Sequence, residues 1–183
     1  MKSVLNVGGR GKTIDAIPHY AGWRHHLVDA RRLQTLPPKS YDAVYCSHHL
    51  QHFYRHEGAS ILRGFDQLLG PGGFVEIHVH NLAAVFEHVV RNKLDIDDKL
   101  YDSSDGPILV HDVLFGFSHE IEKSGWELSG HRTGFSPKSL RRFLSENGFP
   151  FDAVVFPRPF EICGYFFREQ PSEENIRLLS LPR

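Results

Sequence analysis

Short apolar runs broken by glycine and proline recur along the first eighty residues. SVLNVGG (3–9) passes from apolar positions into glycines, as a buried strand does where it opens into a loop. HHLVDA (25–30) and YDAVYCS (41–47) repeat that shape, so two more parallel strands are expected. From His48 to Leu69 the apolar positions Leu50, Phe53, Ile61, Leu62, Phe65, Leu68 and Leu69 have helical spacing. The spacing predicts a helix, kinked near Gly58 and stopped by GPGG at 70–73. GFVEIHVH (73–80) alternates like a strand, which places Glu76 and His78 opposite Val75 and Ile77. NLAAVFEHVVRNK (81–93) then reads as a helix capped by Asn81.

The rhythm breaks over 101–135, where glycines, aromatics and scattered charge suggest an insertion or lid. It resumes with SPKSLRRFLSENGF (136–149), a helix with Ser136 as N-cap, Pro137 in its first turn and Gly148 past its end. FDAVVFP (151–157) and FEICGYFFRE (160–169) are strand-like and close enough to pair antiparallel. The tail from Gln170 to Arg183 reads as a loose surface segment. Strands alternating with helices predict one α/β domain over 1–183, an open, Rossmann-like parallel sheet with helices on both faces and an antiparallel C-terminal hairpin.

Composition narrows the partners. With 183 residues, 40% of them hydrophobic, the chain can bury one core, and a formal charge of −1 offers no broad field for nucleic acid or an acidic membrane. Neither partner is expected. Two cysteines without a CxxC pair, no apolar leader and no run of roughly 18 apolar residues fit a cytoplasmic chain with free thiols. Oligomeric state stays open.

Three features carry candidate chemistry. Gly8, Gly9 and Gly11 follow the first strand, where backbone N–H groups could approach a polar ligand or simply make a turn. No Gly-Lys-Ser/Thr closes that loop, which argues against a triphosphate site. Asp29, Ser47 and His48 fall at the ends of the next two strands, and ligands of open parallel sheets bind beyond such ends. SHHLQHFYRH (47–56) places His48, His52 and His56 four apart, a spacing that could ligate zinc from one helix face, but no fourth donor can be named. No metal ligand set is therefore expected.

LNVGGRG, DARRL, SYDAVYCSHHLQHF, LRGFDQLLGPGGFVEIHV and HRTGFSPKSLRRFLSENGF, taken in order, resemble the motifs of class I S-adenosylmethionine-dependent methyltransferases. The resemblance is strongest to the branch of small methyltransferases called type 11, and it runs from about Val4 to Phe167. It implies a seven-stranded sheet with an antiparallel last strand, S-adenosylmethionine as cofactor, and a small molecule or sugar-containing precursor as methyl acceptor. It also implies that Gly8, Gly9 and Gly11 wrap the methionine end of the cofactor, that Asn6 is the cofactor-site amide or acidic residue preceding that loop, and that Asp29 and Ala30 meet the adenine. Ser47 and His48 would lie near the sulfonium, with His131, Arg132 and Phe135 on the substrate side. If the acceptor must lose a proton, His48, His52 and His131 are the candidate bases, with His78 and His80 behind them.

Two departures stand out. Only about twenty residues separate Gly9 from Asp29, which leaves no room for the strand whose terminal carboxylate holds the ribose in that family. Asp29 takes over that role, or the site is incomplete. Gln51 also stands where the family pattern has glutamate. Both departures keep open an alternative, a non-catalytic binding or assembly module that has lost the cofactor.

Overall fold

The computed structural model describes residues 1–8, 14–103, 106–125 and 129–182. Strand β1 (Ser3–Val7) lies between β2 (Arg24–Val28) and β3 (Tyr41–Ser47), parallel to both. The link from β1 to β2 holds no helix among the described residues, only a 3-10 turn over Pro18–Tyr20 that drives the Tyr20 ring into the interior. A second 3-10 turn over Ala30–Thr35, capped by Asp29, leads to β3.

The helix expected from His48 begins later. Leu50–His52 make a 3-10 turn, and α1 runs Arg55–Leu68, with the Glu57 carboxylate accepting from the Tyr54 N–H at its start. The break falls at Phe53 and Tyr54, not at Gly58, which is helical and packs closely on the Phe143 ring. GPGG is likewise no separate stop, because it lies inside strand β4 (Leu69–His80), at the shift in pairing with β3. Helix α2 (Leu82–Asn92) follows, its Asn81 side chain accepting from the Ala84 N–H.

The 101–135 region folds as a hairpin of β5 (Lys99–Ser103) and β6 (Gly106–Leu109) followed by α3 (Val110–Phe115) and α4 (Ser118–Ser124). Leu100, Val110 and Val113 join Val85 of α2 in a small core of their own. Helix α5 (Pro137–Ser145) starts with Ser136 accepting from Ser139, as its sequence predicts. Strands β7 (Phe151–Val155) and β8 (Glu161–Phe167) pair antiparallel, and β8 runs antiparallel to β4.

The sheet order is β2-β1-β3-β4-β8-β7, six strands where the family resemblance implies seven. The short β1–β2 link accounts for the difference: among the described residues β2 lies directly beside β1 with no strand outside it. One sheet face carries Leu5, Val7, Val44, Val75, Ile77 and Val79 under α1 and α5, with Leu62, Phe65, Leu140 and Leu144 fully buried. Burying Phe65 alone contributes about 2–3 kcal/mol. The other face carries Val4, Ala43, Phe74 and Phe167 under Tyr20 and the C-terminal segment.

That segment is not loose. Helix α6 (Glu173–Leu178) is capped by Ser172, Leu179 and Leu181 are buried in the second core, and the Asn175 side chain donates to the Gly72 carbonyl at 2.9 Å. The polar face of a short helix masked an apolar edge that only the sheet's uncovered side makes useful. No helix among the described residues is long and apolar enough to cross a membrane.

Candidate functional site

Parallel register sets the first part of the site. Val7 pairs with both Val28 and Cys46, so Gly8, Asp29 and Ser47, one residue further on, emerge at the same level of three adjacent strands. Gly8 has φ +79°, and a Cβ there would fall 2.2 Å from Cγ of His49, so neither the backbone nor the space accepts a side chain. Gly9 and Gly11 lie outside the described residues. Asn6 is buried within β1.

The Asp29 carboxylate accepts from the Arg31 backbone N–H at 2.9 Å and from Arg31 Nε at 3.0 Å. The Arg31 guanidinium holds that carboxyl down at about 2. Ala30, the next residue, is buried and belongs to the same core cluster as Leu33.

His48 leaves β3 in the left-handed region, at φ +46°, which is uncommon for a non-glycine residue. Its N–H donates to the His78 carbonyl at 2.9 Å, and its Nε2 lies 3.3 Å from Glu161 Oε1. His52 belongs to the 3-10 turn and His56 to α1, so His48, His52 and His56 share no helix face. The one-face zinc arrangement is thereby removed: His56 stacks on Tyr54, and His52 Nδ1 lies 3.1 Å from the Gly130 carbonyl oxygen.

A different set of imidazoles converges instead. The His80 ring centroid is 4.7 Å from that of His48 and 5.4 Å from that of His131, and His52 is 5.0 Å from His131. Burial, helped by the neighbouring His52 charge, lowers His131 to about 4; burial and His48 also depress His80. Both are neutral near pH 7.

A cavity of about 200 Å³ opens beside them, its wall including Gln51, His80, Leu82, Phe115, His131 and Phe135. The loop carrying His131 is tied to the 3-10 turn, since the Arg132 and Thr133 N–H groups both donate to the Gln51 carbonyl, at 2.9 and 3.2 Å. Gln51 is only 3% exposed, and its Oε1 is buried without a hydrogen bond among the described residues. A buried acceptor left this way costs about 1–3 kcal/mol, so it marks a position suited to a ligand donor.

Sequence reasoning missed Glu161, His19 and Tyr20. Glu76 and His78 were legible as one face of a strand, but their partners come from β8 and from the β1–β2 link. Glu161 Oε1 lies 2.8 Å from His78 Nδ1, and Glu76 Oε2 lies 2.8 Å from both His19 Nε2 and the Tyr20 hydroxyl. Proximity in sequence gives no signal for any of these contacts.

Residues 11–77 match the family model described as a methyltransferase domain. No curated protein sequence matches the chain. Among solved structures, a Thermotoga maritima S-adenosylmethionine-dependent methyltransferase, described as a "possible histamine N-methyltransferase", is similar at TM-score 0.51 and 13% identity, over 92% of this chain and 83% of that one. The Burkholderia thailandensis 1,6-didemethyltoxoflavin-N1-methyltransferase, solved with 1,6-didemethyltoxoflavin and S-adenosylhomocysteine, is similar at TM-score 0.53 and 16% identity, over 92% and 72%. The helix-flanked sheet with its antiparallel β8 thus has the Rossmann-like fold of S-adenosylmethionine-dependent methyltransferases, and residues 11–77 carry the methyltransferase-domain signature.

Proposed function

We propose that this chain transfers a methyl group from S-adenosylmethionine to a small-molecule acceptor. The observation that carries the reading is the emergence of Gly8, Asp29 and Ser47–His48 at one level of three adjacent parallel strands, with a half-open cavity walled by His80 and by Gln51, whose buried Oε1 is an unmet hydrogen-bond acceptor among the described residues. Bound S-adenosylmethionine supplies an electrophilic methyl carbon on a sulfonium, so the protein's share is positioning and exclusion of water.

The residues fit that cofactor. In a doubly wound sheet the second strand lies beside the first, and β2 has that place here, so the role we assign to Asp29 is the ribose, not the adenine. Its carboxylate is ionised at every physiological pH and part-exposed, which suits acceptance from two adjacent hydroxyls. Gly8 presents no side chain at the end of β1, and the His48 ring stands beside that of His80, which lines the cavity.

The acceptor would lie in the cavity, where Gln51 Oε1 takes a hydrogen bond from an N–H or O–H of the ligand. A His131 lowered to about 4 is a weak base. That favours a nucleophile already reactive when neutral, such as an amine or ring nitrogen, over a hydroxyl that must first be deprotonated. The 101–135 region, whose Phe115 and His131 wall the cavity, would set acceptor specificity as a lid.

Calorimetric titration with S-adenosylmethionine and S-adenosylhomocysteine tests the reading, with saturable heat expected. No heat and no thermal stabilisation at roughly millimolar ligand would refute it. One observation favours the alternative of a non-catalytic module: the His49 ring stands against Gly8 at the end of β1. A folded chain that binds neither ligand would select that alternative.

A further inference from the structure

Glu76, His78 and Cys163 form a constellation that the methyl-transfer reading does not use. Glu76 and His78 are two apart on β4, hence on one sheet face, and Cys163 on β8 is the direct antiparallel partner of His78. Backbone register alone therefore sets the three side chains in a triangle, and one donor atom from each lies within 4.8 Å of the others. Glu76 Oε1 is 2.8 Å from His78 Nε2 and 4.0 Å from Cys163 Sγ. Donors around a tetrahedral zinc stand roughly 3.3–3.8 Å apart, as bond lengths near 2.0–2.3 Å require, so only small side-chain movements separate this triangle from a ligand set.

The surroundings have the form of outer-shell support. His78 turns Nδ1 to Glu161 Oε1 at 2.8 Å, leaving Nε2 toward Glu76 and Cys163, the orientation that a carboxylate gives a metal-binding histidine. His19 Nε2 lies 2.8 Å from the other oxygen of Glu76 but outside the 4.8 Å triangle, so it becomes a fourth donor only if its side chain turns inward. Glu76 and Cys163 are nearly fully buried, at 2% exposure each, and Glu161 is at 6%. A hydrogen-bonded chain through Glu76, His78 and Glu161 accounts for the carboxylates and the imidazole. It gives no reason for a thiol at the edge of hydrogen-bonding range, whereas an ion with nitrogen, sulfur and oxygen ligands does.

We propose that Glu76, His78 and Cys163, completed by a small inward movement of His19, bind one zinc ion that ties the β1–β2 link to strands β4 and β8. The mixed ligand set is borderline-soft, which selects zinc over magnesium or calcium. The site lies on the sheet face where a crossover helix would otherwise cover β1 and β2, so its role is structural: it anchors a link too short to build that layer.

The test uses the full chain, freed of any histidine tag, stripped of metal with a chelator and then titrated with zinc or cobalt(II). We expect close to one equivalent of zinc by elemental analysis, a rise in melting temperature, and a sulfur-to-cobalt charge-transfer band in the cobalt form. Cys163→Ser, checked for its fold by circular dichroism, should abolish that band. His78→Gln should lower zinc affinity at least tenfold, and so should His19→Ala. A protein that takes up no zinc, or a cobalt spectrum without a thiolate band, would overturn the proposal. Full zinc affinity in His19→Ala would remove His19 from the ligand set. Zinc uptake unchanged by Cys163→Ser and His78→Gln would place the metal elsewhere and overturn it as well.

Discussion

Gln51 Nε2 lies 3.1 Å from His131 Nε2, and His131 Nδ1 lies 2.9 Å from the Val113 carbonyl oxygen. A carbonyl can only accept, so Nδ1 carries the proton and Nε2 accepts from the Gln51 amide. The pair is made for a neutral imidazole. Where the family pattern has glutamate, this chain has an amide that suits the histidine it touches. Gln51→Glu should therefore raise the His131 pKa from about 4 by roughly 1–3 units, because a carboxylate in contact favours the charged ring. Histidine NMR titration reads this directly, and an unchanged His131 would show that the two side chains are not in contact.

Stability should fall in mild acid for the same reason. His131 is lowered from 6.5 to about 4 on folding, so between those values the unfolded chain holds the extra proton. The contribution is complete above pH 6.5 and is lost as pH falls toward 4, amounting to at most about 3 kcal/mol. Urea midpoints across this window should decline, and His131→Gln should flatten the decline. A wild-type profile with no slope there would contradict the buried neutral ring.

Asp29→Asn separates binding from folding. Asparagine caps a helical turn as well as aspartate, and the exposed Arg31 pair contributes less than about 1 kcal/mol, so the melting temperature should hardly move. Affinity for S-adenosylhomocysteine should drop tenfold or more if the carboxylate holds the ribose. Equal affinity in calorimetry would assign Asp29 to the turn alone.

Gly8→Ala meets two penalties, a positive φ and the His49 ring. The left-handed backbone costs about 1–2 kcal/mol, and the clash adds to it. In a double-mutant cycle, His49→Ala should recover the steric part and leave the backbone part. Strict additivity in chemical denaturation would mean that the ring can move aside freely.

The C-terminal segment should behave as core. Leu179→Ala with Leu181→Ala should cost roughly 3–5 kcal/mol, since both side chains are more than nine-tenths buried against the second core. A loose tail would keep the change within about 0.5 kcal/mol in the same denaturation experiment.

The sequence by itself determined the parts of the fold that local pattern controls. Apolar runs ending at Val7 and Ser47 mark central strands because burial on both faces requires continuous hydrophobicity, whereas β2, at the sheet edge, is largely exposed; Asn81 and Ser136 mark helix starts because their side chains satisfy free N–H groups. The short interval between Gly9 and Asp29 likewise foretold the missing strand, since chain length limits reach. Only the tertiary structure decided which distant residues meet. Cys163 stands beside His78 because β8 runs antiparallel at one particular register, and a slip of one residue would turn its side chain to the other face. Gln51 meets His131 across eighty positions because the loop after α4 bonds back to the Gln51 carbonyl. The four-residue spacing of His48, His52 and His56 suggested one helix face, and that face does not form because the backbone turns left-handed at His48. That single turn sends the ring of His48 to the carboxylate of β8 and leaves His52 and His56 to different elements.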